Sequence, residues 1–327
     1  MTAQEYIITK LQELRQPVEF QDVKPDLLEN TILAKVLSKK YRKYACDEVA
    51  VNNCKIAIHL SVSQNKPIKI SLLFGGNKIW RLDEAPEVDW AELFSLIYFA
   101  RWMKSIASIY EHGVEFSFYS QDVSIERLNN VPRSETDLYS QTFRELLTWF
   151  EQYLPKDVHF TYGRHAEEYV DLGDYDIEIE DAKEQLFREL GGNYPKMTDA
   201  EKRITEFNVK LKPGQTEDPQ WHEKVELEHQ AIFGTKTLQP YLNNESMIRV
   251  SAMPFSGYIA VGSTKHSIAK FWASAGVLEK RGDSFIDKAI TPKQLADATY
   301  DWQNIDLGIK GKNFGKIRII NGVKATS

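Results

Sequence analysis

The sequence predicts an α/β protein with a Rossmann-like, mixed or mainly parallel sheet flanked by helices, and with an inserted helical lobe. Segment 66–122 indicates this class most directly, because an apolar strand, a glycine turn, a long helix and a second strand follow one another there. The 327 residues, 42% of them hydrophobic, suffice for a large core and suggest about two domains or one large α/β domain. We expect ligands to bind where strands pass into helices.

Composition and charge exclude several classes of protein. A net charge of -6 gives no general attraction to nucleic acids. Cys46 and Cys54, if they share a helix, are separated by about 12 Å of rise and cannot form a disulfide, which favours a reducing, cytoplasmic location. Arg101 and Lys104 interrupt the longest apolar stretch, so we expect a buried helix there and no membrane partner. The N-terminal segment has no pattern of a secretion signal.

Hydrophobic spacing predicts the elements of the first half of the chain. Leu28, Ile32 and Val36 form a helical stripe after a candidate cap at Asp26, and Val114, Phe116 and Phe118 alternate as in a strand with one buried face. The predicted helices cover about 3–14, 26–42, 47–63, 89–112 and 134–154, and the predicted strands cover about 67–74, 114–119 and 158–163.

The character of the sequence changes near residue 166. From there to about 234 it is mostly charged and helical in pattern, with breaks at Gly191-Gly192 and Pro213-Gly214. Strand patterns return in MIRVSAMP and YIAVG, followed by a predicted helix HSIAKFWASAGVLEK and a late strand KIRIING. We therefore divide the chain into helices and the first part of an α/β body (1–165), a charged helical lobe (166–234) and the remainder of the body (235–327).

Common catalytic motifs do not fit this sequence. HEKVE at 222–226 begins like a zinc-protease helix, but Glu226 stands where the second histidine is needed. Gly75-Gly76-Asn77-Lys78 is too short for a phosphate-binding P-loop, and there is no nucleophile-elbow motif. The sequence therefore predicts neither a metal nor a cofactor.

Four groups of residues remain as candidate site residues. Gly75 and Gly76 follow an apolar strand, and Lys78 and Arg81 then offer cationic donors to an anion; a simple turn is the alternative interpretation. Three acidic residues begin the next helix, where they either complement the helix dipole or bind an ammonium group: Glu87, Asp89 and Glu92.

The other two groups follow or lie within predicted strands. Asp122 comes just after a strand end, where it either contacts a ligand or opens a turn. Arg249 lies in an apolar strand, and we expect it to reach the same crevice if that strand runs antiparallel to strand 114–119. Lys265 and His266 stand between Thr264 and Ser267, and this group either binds an anion or caps a helix.

The string PEVDWAELFSLIYFARWMKSIASIYEHGVEFSFYSQDV resembles the isocyanide (isonitrile) synthases of the pyoverdine and dityrosine type. The resemblance involves a proline and aspartate before a helix with an acidic residue, a tyrosine-x-glycine corner and a serine-aspartate pair after a strand. The counterparts in this chain are Pro86, Asp89, Glu92, Tyr110, Gly113, Ser120 and Asp122. MIRVSAMP is similar to a later arginine-bearing strand of the family, although Met253 replaces a histidine of that strand. The family also has a motif that contains a lysine, and Lys78 is the lysine of this chain that lies nearest to the corresponding position.

This resemblance implies a metal-free biosynthetic enzyme of secondary metabolism. In such enzymes the amine of an aromatic amino acid attacks the ketone of ribulose 5-phosphate, and a partner oxygenase can act afterwards. The resemblance suggests Lys78 and Arg249 for anion binding, Asp122 and Glu92 for the amine, and Lys265 or His266 for proton transfer, with Asp122 included among the catalytic residues. The alternatives are a nonenzymatic binding or scaffold protein and a transferase acting on a phosphorylated small molecule.

Overall fold

Five parallel strands form the main sheet of the part of the chain that the structure describes. The structure is a computed structural model and describes residues 1–78, 82, 86–169, 171–235, 238–262 and 268–321. The strand order is β3-β2-β1-β4-β5, and each neighbouring pair is parallel. The bounds are β1 Ile68–Phe74, β2 Val114–Ser120, β3 Val158–Arg164, β4 Met247–Ser251 and β5 Ile259–Ala260. The predicted α/β class with a mainly parallel sheet is confirmed.

Helices flank this sheet, and their starting points follow from capping residues. Asp47 accepts a hydrogen bond from the Ala50 N–H at 2.7 Å, and Asp89 forms a capping box with Glu92. The helix expected to start after a cap at Asp26 begins instead at Pro25. The helices are α1 Ala3–Arg15, α2 Pro25–Val36, α3 Glu48–Ser63, α4 Trp90–Ala107, α5 Asp122–Asn129, α6 Arg133–Phe150, α7 Leu172–Glu189, α8 Asp199–Asn208, α9 Trp221–Phe233, α10 Gln239–Leu242 and α11 Pro292–Ala296.

The core lies between one face of the main sheet and the buried helix α4. Phe116 and Phe118 are fully buried on that face, as their alternation in the sequence predicts. The two charges that interrupt the apolar stretch of α4 lie at its periphery, where Arg101 Nη2 contacts Glu13 Oε2 at 2.7 Å and Lys104 Nζ donates to the Gln16 carbonyl at 2.7 Å. Among the described residues, no helix is long and apolar enough to cross a membrane.

A second sheet, which the sequence does not predict, occupies the C-terminal part of the chain. It has four strands in the order β7-β6-β9-β8, with β6 Ala275–Arg281, β7 Ser284–Ile290, β8 Tyr300–Asn304 and β9 Lys316–Ile320. The prediction of a helix over 266–280 is therefore wrong: its described part forms a short 3₁₀ segment, Ile268–Ala273, and then strand β6. A hairpin pairs β6 with β7, and this tertiary pairing overrides the helical spacing of the apolar residues. The late strand is confirmed as β9.

Segment 171–235 contains helices α7, α8 and α9 and no strand among its described residues. Arg127 connects this segment to α5, the helix that follows β2. Its Nε contacts Glu228 Oε1 at 2.6 Å, and its Nη2 contacts Glu180 Oε1 at 2.7 Å. The segment therefore packs over α5, which begins at the end of β2.

Candidate functional site

Lys78 lies after β1 in a buried ion cluster with Asp89 and Glu92. Its side chain is fully buried, and Nζ contacts Asp89 Oδ1 at 2.9 Å and Glu92 Oε2 at 2.7 Å. Nζ also donates to the carbonyls of Phe271 at 3.0 Å and Ser274 at 2.9 Å. Four oxygen atoms thus surround the ammonium group, and it is not open to a phosphate in this arrangement.

The carboxylates of the ion cluster are equally well bonded. Asp89 Oδ2 accepts from the Gly276 N–H at 3.2 Å, and Glu92 Oε1 accepts from the Tyr139 hydroxyl at 3.1 Å. Burial raises the pKa of Glu92 to about 8, against the opposing effect of Lys78, because two carboxylates share one ammonium group in a site sealed from water. The cluster fastens the start of α4 to the end of β1 and to the second sheet.

The glycine turn brings the ends of β1 and β2 into close contact. Gly76 has a φ of +64°, and a Cβ atom placed on it would lie 1.6 Å from Ser120 Oγ. Gly75 is less restricted, since its Cβ would lie 3.2 Å from Trp272 Nε1. The requirement for glycine at position 76 therefore follows from backbone conformation and packing.

Asp122 is the first residue of α5 and lies at the carboxyl edge of the main sheet. It is fully buried, and its Oδ2 accepts a hydrogen bond from Arg164 Nε at 2.7 Å. Its Oδ1 accepts from the Ala166 N–H at 3.1 Å. Because Arg164 ends β3 and Ala166 lies in the 3₁₀ turn after it, Asp122 joins the ends of β2 and β3.

Between these two partners of Asp122 lies His165, a residue that the sequence reasoning missed. Its side chain is fully buried, and neither ring nitrogen has a hydrogen-bond partner among the described residues. Tyr119, Tyr169 and Tyr175 surround the imidazole, with ring centroids 6.2, 5.5 and 5.2 Å away. Burial lowers the pKa of His165, in spite of the nearby Asp122 carboxylate, so the ring is neutral at pH 7. A signal was available, because His165 follows a strand end as Asp122 does.

Arg249 lies further from the carboxyl edge than expected. Strand β4 is parallel to β1, so the antiparallel direction that would have placed Arg249 at this edge is wrong. In the register of the sheet, Arg249 lies opposite Ser71, and Ser71 lies opposite Ser117. Arg249 is therefore level with a residue three positions before the end of β2. The direction of a strand in a sheet is a tertiary property that the local pattern of β4 does not encode.

Helix α10 nevertheless connects Arg249 with the edge. Tyr241 stacks on Tyr119 with ring centroids 4.5 Å apart, and the next carbonyl, that of Leu242, accepts a hydrogen bond from Arg249. The Arg249 Nε and the Tyr241 hydroxyl are buried without a partner among the described residues. Burial raises the pKa of Tyr119, reinforced by Glu168 and Asp122, so that its phenol stays protonated.

We use the term edge site for six residues that lie at or behind the carboxyl edge of the main sheet: Tyr119, Asp122, Arg164, His165, Tyr241 and Arg249. Lys78, Asp122 and Arg249 have three separate sets of bonding partners in the structure. Arg81, Lys265 and His266 lie outside the described residues. Within the described ranges no group of three or more histidine, cysteine, aspartate or glutamate side chains could hold a metal ion.

The fold places the chain among α/β proteins with a parallel sheet. A solved structure with a similar fold is that of the PvcA protein from Pseudomonas aeruginosa. The TM-score is 0.59 at 15% sequence identity, and the match covers 89% of this chain and 99% of PvcA. No protein-family model matches the sequence, and no curated protein does. The chain thus shares the fold of PvcA as a remote structural neighbour.

Proposed function

We propose that this protein is an isonitrile-synthase-like enzyme that joins the amine of an amino acid to a phosphorylated ketose such as ribulose 5-phosphate. The resemblance of segment 86–122 to the isocyanide synthases supports this proposal, and the fold shared with PvcA is consistent with it. The carboxyl edge of a parallel sheet is also the usual place of a ligand crevice in open α/β folds.

The observation that carries the proposal is the buried imidazole of His165 at that edge, whose ring nitrogens have no hydrogen-bond partner among the described residues. A buried polar atom without a partner is unfavourable by roughly 1–3 kcal/mol, so such atoms are rare unless a ligand or water completes them. His165 has two such nitrogens. The side chain is therefore better explained by a ligand that bonds to it than by a role in stabilising the fold.

The chemistry needs a base, an anion-binding group and a hydrogen-bond donor. In our proposal the neutral imidazole of His165 accepts a proton from the substrate ammonium, and the freed amine adds to the ketone carbon. The two protons left on the nitrogen pass to the carbonyl oxygen, which leaves as water, and a carbon-nitrogen double bond remains. In our proposal the Tyr119 hydroxyl, which its raised pKa keeps protonated, donates a hydrogen bond to the ketone oxygen and so polarises the carbonyl group.

Asp122 and Arg249 have supporting roles in this scheme. The two carboxylate oxygens of Asp122 accept hydrogen bonds from the residues on either side of His165, so Asp122 holds the turn that carries His165 in position. The open Nε of Arg249 offers a charge-assisted bond to the phosphate. The ion cluster of Lys78, Asp89 and Glu92 is structural in our proposal. The roles predicted for Arg81, Lys265 and His266 stay predictions.

Mass spectrometry of purified protein incubated with tyrosine or tryptophan and ribulose 5-phosphate tests the proposal. We expect the wild type to form an isonitrile product whose isonitrile carbon derives from the sugar. His165→Gln should reduce the rate at least a hundredfold, in line with the usual contribution of a general base. His159→Gln is the matched control, because His159 is exposed on β3, the strand that ends just before His165. Absence of product from the wild type would refute the proposal.

A further inference from the structure

A groove lies between the start of helix α4 and the second sheet. Strands β8 and β9 and the 3₁₀ turn Lys312–Phe314 before β9 contribute to its wall. Its volume is about 460 Å³, which is within the usual range for sites that bind small molecules.

The groove is positively charged, although the whole chain carries a net charge of -6. Three cationic side chains line it: Lys312, Lys316 and Arg318. Among the described residues, the one carboxylate in the wall is that of Asp89. Asp89 is buried, and its two oxygens already accept hydrogen bonds from the ion cluster and from a backbone N–H. The wall therefore favours an anion over a cation or a neutral molecule.

The indole ring of Trp302 holds two of these cations close together. Lys316 Nζ lies 4.2 Å and Arg318 Cζ lies 4.3 Å from the centroid of the ring. The register of the sheet explains this arrangement, because Trp302 lies opposite Arg318, and Lys316 is two residues earlier on the same face of β9. Two like charges held against one ring repel each other, and an anion bound beside them relieves this repulsion.

The two lysine side chains of the groove are accessible to a ligand. Lys316 is exposed, and in the part of the chain that the structure describes no carboxylate forms an ion pair with it. The side chain of Lys312 is 84% exposed, so water screens its contact of 3.2 Å with Glu87 Oε1. Asp301, the acidic residue of β8, lies on the opposite face of the strand from Trp302. Both ammonium groups can therefore contact an anion without first breaking a buried ion pair.

We propose that this groove binds a small organic phosphate, with Lys316 as a principal contact. A phosphate monoester carries about 1.5 to 2 negative charges at pH 7 and has three acceptor oxygens, which suits several N–H donors around one groove. The inference is independent of the proposed condensation, because none of the edge-site side chains lines the groove. Failure of the experiment below would leave the isonitrile assay unaffected.

AMP and adenosine provide a matched pair of probes, because they differ only in the phosphate group. Calorimetry on the full chain should show AMP binding at least tenfold more tightly than adenosine, the gain expected from charge-assisted hydrogen bonds. Equal affinity of the wild type for both probes, or no binding of either, would overturn the proposal.

A matched pair of variants locates the binding site. Lys316→Gln should weaken AMP binding at least fivefold, and it leaves the fold intact because the side chain is exposed. Lys310→Gln is the control, since Lys310 is also exposed and close in sequence but does not line the groove. It changes the net charge by the same amount and should leave the affinity within about twofold of the wild type. Equal affinities of the two variants for AMP would contradict binding in this groove.

Discussion

The ion cluster and the edge site both bury polar side chains near the ends of neighbouring parallel strands, yet their hydrogen bonding differs. In the ion cluster, the Lys78 ammonium and the Glu92 carboxylate find partners in each other and in surrounding groups. In the edge site, the ring nitrogens of His165 and the Arg249 Nε have none among the described residues. We infer that the saturated cluster stabilises the fold that contains it, and we propose that a ligand completes the edge site.

Replacement of Lys78 should have the largest effect on stability. Lys78→Met leaves the Asp89 carboxylate buried without its cation and removes a bond to the Glu92 carboxyl group, and breaking a buried ion pair destabilises by roughly 3–5 kcal/mol. Urea unfolding measures this loss. Lys69→Met, on the same strand but only half-buried, should change stability by less than about 0.5 kcal/mol. A loss below about 1 kcal/mol for Lys78→Met would contradict a structural role of the cluster.

Gly76→Ala should have the next largest effect. The new Cβ would overlap Ser120 Oγ, and the positive φ adds backbone strain. Gly282→Ala is the control, because Gly282 has a φ of +57° but no atom within 4 Å of the added Cβ. We expect Gly76→Ala to cost roughly 1–3 kcal/mol more than the control in the same unfolding assay. Similar losses for both would show that the contact with Ser120 is easily relaxed.

The ion cluster should also make stability depend on pH. The folded pKa of Glu92, about 8, lies above its ordinary value of 4.5, so the folded chain holds a proton that the unfolded chain releases. The free energy of unfolding therefore falls as pH rises from about 4.5 to about 8, by at most about 1.4 kcal/mol per pH unit. Glu92→Gln should remove this decline. Glu19→Gln, an exposed control, should retain it.

His165 should show the smallest effect on stability and the opposite dependence on pH. His165→Leu removes two unpartnered buried nitrogens, so we expect stability to stay within about 1 kcal/mol of the wild type or to rise. Because burial lowers the pKa of His165, the wild type loses stability as pH falls below 6.5, and His165→Leu should lose less. A loss above about 2 kcal/mol at pH 7 would indicate that the histidine stabilises the fold.

The sequence predicts the strands of the main sheet and most of its flanking helices because their patterns are local, although it does not predict α5. The alternation in β2 and the acidic helix start at Asp89 each lie within a few residues, and both are present in the structure. The second sheet is not predictable in this way, since β6 has apolar residues at spacings that also suit a helix and becomes a strand by pairing with β7 and β9.

The candidate site is only partly predictable for the same reason. Asp122 and Asp89 stand out by their position at element ends, and the structure shows both buried. The sequence does not reveal that Lys78 is enclosed by Asp89 and Glu92, nor that β4 runs parallel to β1. His165 also follows a strand end, but the sequence does not reveal that Tyr169 and Tyr175 pack around it.

The central claim is that ligands form hydrogen bonds with the ring nitrogens of His165. The ¹⁵N NMR resonances of the seven histidine side chains test it directly, with His165 assigned by the signals missing in His165→Leu. On addition of tyrosine and ribulose 5-phosphate, we expect the two ring resonances of His165 to shift while those of exposed His159 stay in place. Unchanged His165 resonances in the presence of both compounds would contradict the account.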